Sequence, residues 1–107
     1  MIIEQRYLGQ EELKYVYESA TKRMECHPEI AEKYRRIIEQ SPFYNDRDEA
    51  IKVAEAICKS DGSRCQVWAK VGKDKEHYYI EDYYIVSNDY KIIIAAEYIG
   101  MEQIFID

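Results

Sequence analysis

Near residue 65 the apolar periodicity of this 107-residue chain changes from helical to alternating, and that switch restricts the fold more than any other feature. Before it, Leu13, Val16, Tyr17, Ala20 and Met24 recur at helical spacings, which sets them on one face of a helix. A second stripe, Ile30, Ala31, Tyr34, Ile37 and Ile38, follows His27-Pro28. Proline bars the residue before it from helical geometry and itself suits a first helical position. A third stripe, Ala50, Ile51, Ala54, Ile57 and Cys58, begins after Asp46, which forms a capping-box pattern with Glu49. After the switch, Val67, Ala69 and Val71 alternate with Gln66, Trp68 and Lys70, the period of a strand.

The remaining elements follow from turn residues. Residues 1 to 8 are expected to form a short strand through Ile2, Ile3 and Tyr7, ended by Gly9. Residues 41 to 45 are expected to form a loop, and Gly72-Lys73-Asp74-Lys75 a hairpin turn into a second long strand over 77–86. Ser87-Asn88-Asp89 is expected to turn into a third, with Ile92, Ile94, Ala96 and Tyr98 on its apolar face. Gly100 interrupts, and residues 103–106 add a short edge strand. The order β-α-α-α-β-β-β-(β) predicts a single α+β domain over 1–107. Three N-terminal helices should pack on one face of a three- to four-stranded antiparallel sheet, paired as a meander because its connections are short. Glu76-His77-Tyr78-Tyr79-Ile80 is echoed by Glu81-Asp82-Tyr83-Tyr84-Ile85. The odd repeat puts the two copies on opposite faces of a straight strand, and a bulge near Glu81-Asp82 would restore the register.

Composition narrows the class. No apolar run approaches the ~20 residues a membrane span needs. The N-terminus lacks a basic start followed by an apolar stretch, so a cytosolic location is expected. Cys26, Cys58 and Cys65 are odd in number, which with no secretory signal points to reduced thiols.

Charge and tyrosine are concentrated at one end. Residues 72 to 107 carry eight carboxylates against three lysines, a balance of −5 in a chain whose net charge is −6. Six of the eleven tyrosines lie there as well. Such a surface repels nucleic acid and attracts basic partners.

Signs of catalysis are sparse. With only Gly9, Gly62, Gly72 and Gly100, neither a dinucleotide fingerprint nor a phosphate loop can be written. His27 sits at a helix boundary and His77 at a strand start, both accounted for without chemistry. Cys26, His27, Cys58 and Cys65 are suitable zinc ligand types at unsuitable spacings. Asp89-Tyr90-Lys91, following Asp74 and Asp82, loosely fits a magnesium-dependent nuclease pattern, but no basic groove accompanies it. No catalytic residue, metal or cofactor is therefore assigned.

The expected function is that of a small acidic interaction module. It would dock a tyrosine-rich acidic sheet face, made by Tyr79, Glu81, Asp82, Tyr83, Tyr84, Asp89, Tyr90 and Glu97, onto the basic surface of a nucleic-acid-binding protein. It would touch neither nucleic acid nor membrane itself. The analogy, of composition alone, is to small acidic inhibitors carried by phages and mobile elements. One alternative is a small-molecule or enzyme module with a pocket between helices and sheet, lined by Tyr34, Trp68, His77 and Tyr98. Another is a structural subunit that pairs with its own copy as a homodimer.

Overall fold

The structure is a computed structural model that describes residues 4–5 and 9–106. Its elements in order are β1 (Glu4–Gln5), α1 (Gln10–Cys26), α2 (Pro28–Glu39), β2 (Phe43–Tyr44), α3 (Arg47–Asp61), β3 (Gln66–Asp74), β4 (His77–Ser87), α4 (Tyr90–Tyr98) and β5 (Glu102–Ile106). The fold class is α+β, as the switch in period predicts. Of the strand expected over 1–8, Glu4 and Gln5 are extended; Met1 to Ile3 and Arg6 to Leu8 lie outside the described residues. No helix among the described residues is long and apolar enough to cross a membrane.

The helix starts follow local chemistry. The Glu12 carboxylate accepts the Gly9 N–H at 3.3 Å before α1. Pro28 opens α2. The Asp46 carboxylate accepts the Asp48 N–H at 2.9 Å ahead of α3, and Gly62 ends that helix in the left-handed region at φ 70°.

The segment expected to be a third long strand is instead α4. Asp89 caps it, accepting the Lys91 N–H at 2.9 Å. It ends in a Schellman turn: the Met101 N–H donates to the Ala96 carbonyl at 2.9 Å and the Gly100 N–H to that of Glu97 at 3.2 Å. Gly100 holds φ 90° there. Residues 41–45, expected to be loop throughout, contain β2.

All strand pairs are antiparallel, in the order β1-β5-β3-β4-β2. The pairing is not a plain meander. Since β4 and β5 flank β3, the chain leaves β4, crosses through α4 and returns on the other side of β3. The expected edge strand β5 is thus interior.

Side chains alternate across β3 and divide the core. Val67 and Ala69 pack with Ala50, Ile51, Ala54 and Cys58 of α3, together with Tyr84 and Phe105. Trp68 packs the opposite way, with Ile38 of α2, Ile85, and Ala95 and Ala96 of α4. The helices therefore cover both sheet faces, where the sequence suggested one. Beyond the register shift between Ala69 and Val71, α1 joins through Leu13, which packs on Val71 and Tyr78. The Trp68 indole N–H donates to Gln66 Oε1 at 2.9 Å, so this buried ring leaves no donor unpaired.

The shift falls where the tyrosine echo predicts an irregularity. Ala69 pairs with Tyr84 and Val71 with Ile80, so Glu81, Asp82 and Tyr83 lie opposite Lys70 alone. Tyr78 is buried from the first pair and Tyr84 from the second, leaving Tyr79 and Tyr83 the more exposed.

On β4, Gln10 performs a strand's work from a helix start. Its Oε1 accepts the Tyr78 N–H at 2.8 Å, and its Nε2 donates to the Tyr78 carbonyl.

Candidate functional site: a cleft beside the tyrosine strand

The residues expected to share one acidic, aromatic face are distributed over several environments. Tyr84 is 4% exposed in the core under α3. Burial, reinforced by the Asp82 carboxylate, pushes its phenol above the usual range. It takes no place on a surface. Asp89 is committed to capping α4. Tyr90 and Glu97 are exposed at opposite ends of that helix. Tyr79 is exposed beside Gly72; a Cβ at that glycine would meet the Tyr79 ring at 2.8 Å and Glu81 Cγ at 3.0 Å. The His77 and Tyr79 rings stack with centroids 6.3 Å apart. Glu81 pairs with Lys70 at 3.3 Å across the irregular stretch, and Asp82 is exposed at its crest.

Tyr83 is the member of the set that helps build a concavity. Its ring stacks on Phe43 with centroids 4.9 Å apart and planes 13° from parallel, and Phe43 is 51% exposed. Tyr83 also lines a cleft of about 700 Å³ between α1, α2, the sheet and the α4–β5 turn. Ile38, Val71 and Met101, all buried, form its apolar floor. Ala20 and Met24 come from α1, while Glu25, Arg35, Glu39 and Lys70 supply charge around it. None of Tyr34, Trp68, His77 and Tyr98, the expected pocket residues, lines it. Tyr34 and Tyr98 pack on each other at 4.9 Å instead.

Close contacts between α1 and the end of α4 bound the cleft on one side. The Arg23 guanidinium donates to the Glu97 carbonyl at 3.1 Å and to that of Tyr98 at 2.9 and 3.3 Å, and lies 5.1 Å from the Tyr98 ring centroid. This caps the last carbonyls of α4 with a cation from α1. Gly100 meets α1 so closely that a Cβ there would lie 2.6 Å from Ala20 Cβ.

Among the described residues that line the cleft, none is a histidine, cysteine or serine, and the Thr21 hydroxyl donates to its own helix at Tyr17. Among the described residues no group of three His, Cys, Asp or Glu side chains is placed to hold a metal ion. Cys58 and Cys65 are buried in the α3 core, and Cys26 is exposed at the end of α1. Of the cleft residues, only Tyr83 belongs to the binding set expected from the sequence. Comparison with protein-family models, with characterised proteins and with solved structures gave no match.

Proposed function

We propose that the protein is a binding module that seats a segment of a basic partner protein in this cleft. The observation that carries the reading is the Phe43–Tyr83 stack, an aromatic wall half open to solvent beside an apolar floor with carboxylates at its rim. Aromatic anchors beside a preformed pocket supply binding area at low entropic cost. Glu25 and Glu39 stand at the rim among Arg35 and Lys70, the latter paired with Glu81, and the net charge of −6 favours an approaching cation. The contact surface is thus a cleft and its aromatic wall, in place of a flat sheet face. To test it, immobilised protein retrieves its partner from its own cell, and the purified pair is titrated. Tyr83→Ala and Glu39→Lys should each weaken the complex by roughly tenfold or more, and added salt should weaken it further. Binding that survives both substitutions unchanged excludes the cleft.

A small amphipathic ligand is the second reading, favoured by the cleft volume of about 700 Å³, which lies within the usual range for ligand sites. A thermal-shift screen in which a metabolite stabilises wild type, but not Tyr83→Ala, would select it over a protein segment.

A further inference from the structure

Helix α4 carries its charges in the order a helix disfavours. Lys91 stands in the first turn and Glu97 in the last, while the macrodipole favours the reverse. Both side chains are exposed, with Tyr90 74% and Ile94 36% exposed between and beside them. The opposite side of the helix is occupied: Ala95 and Ala96 are buried, and Ile92, Ile93 and Ile99 pack on the same core. Lys91, Ile94 and Glu97 are spaced three apart, so they follow one another along the outer face with Ile94 midway.

A two-fold axis through Ile94 maps this stripe onto itself with the charges exchanged. Turned end for end, the helix lays lysine on glutamate at both ends and isoleucine on isoleucine at the centre. Along this stripe a strongly basic or strongly acidic partner would meet like charge at one end, whereas a second copy meets opposite charge at both. We propose that α4 is a self-association face on which two copies of the chain pair antiparallel, Lys91 of each copy against Glu97 of the other. This explains both the exposed Tyr90 and Ile94 and the order of the charges. A nine-residue helix offers a small patch, so the pairing belongs to the weak, concentration-dependent class.

The test is sedimentation of the whole chain at physiological salt across roughly a hundredfold range of concentration. Wild type should shift from monomer to dimer, and Ile94→Asp should remain monomeric. Lys91→Glu and Glu97→Lys should each weaken the dimer by about tenfold or more, since each places like charges together at both ends. Mixing these two single variants in equal amounts should restore pairing, because every contact in the mixed dimer is then of opposite sign. Both substitutions follow the helix dipole, so unchanged circular dichroism should accompany them. A wild type that stays monomeric throughout, a dimer indifferent to Ile94→Asp, or a mixture no more associated than its components would each overturn the assignment.

Discussion

Gly100 and Gly62 both hold positive φ, at 90° and 70°, yet their surroundings differ. Nothing lies within 4 Å of a Cβ built at Gly62, so Gly62→Ala meets only the left-handed penalty of about 1–2 kcal/mol. At Gly100 the added methyl would also collide with Ala20, and Gly100→Ala should lose on the order of 2–4 kcal/mol. Urea unfolding followed by the single tryptophan, Trp68, should rank the two variants in that order. Cys65 supplies a second prediction at this scale. Its side chain is fully buried, and burial, with the neighbouring Cys58 adding, pushes its thiol from 9.0 to about 11. Below pH 9 both folded and unfolded states hold the proton. Between pH 9 and 11 the unfolded chain gives it up while the folded one keeps it, so stability falls as pH rises, by on the order of 2 kcal/mol over the whole interval. Cys65→Ala should flatten that alkaline slope in urea midpoints, leaving the contribution of Tyr84, whose raised phenol acts in the same direction.

Among the elements, α4 shows most clearly what local signals decide. Asp89→Ala should destabilise the protein by about 1 kcal/mol through loss of its cap. Lys91→Glu or Glu97→Lys should stabilise the monomer by about 0.3–1 kcal/mol each, measured by thermal unfolding in dilute solution. The first three helices were legible because each pairs an apolar stripe with a start signal, such as Pro28 or Asp46. Residues 90 to 98 satisfy two periods at once. Ile92, Ile94, Ala96 and Tyr98 alternate, whereas Ile92, Ala95, Ala96 and Ile99 recur at helical spacing; the whole of the latter set packs on one core, while Ile94 of the former faces out. The run Ile92-Ile93-Ile94 favours a strand intrinsically. The caps outweigh it: Asp89 and Gly100 bracket one short helix, and both signals are present in the sequence. The exposure of the tyrosines was not legible in the same way. It depends on Glu81, Asp82 and Tyr83 standing opposite the single Lys70, which is a property of the pairing. The cleft was still less so, since no spacing along the chain announces that Met24, Arg35 and Met101 meet.

At the scale of the whole molecule, β3 is the spine. It pairs on both sides, and α3 covers one of its faces while α2 and α4 cover the other. Helices cover both faces around Val67 to Ala69, so the open surfaces are the helix backs, the gap under α1 and the far end of the β3–β4 hairpin, where Tyr79 is exposed. Arg23 and the Gly100–Ala20 approach fix the breadth of that gap, tying α1 to the far end of α4. The outer margin of β4 has its own guard. Gln10→Ala would release the main-chain groups of Tyr78 that the amide now engages. The variant should keep its helical signal but scatter more light than wild type during heating, because bare strand margins recruit neighbouring chains. One carboxamide thereby acts as a terminator for hydrogen-bonded growth, borrowing the first turn of a helix to keep a tyrosine-rich ribbon from templating a fibril.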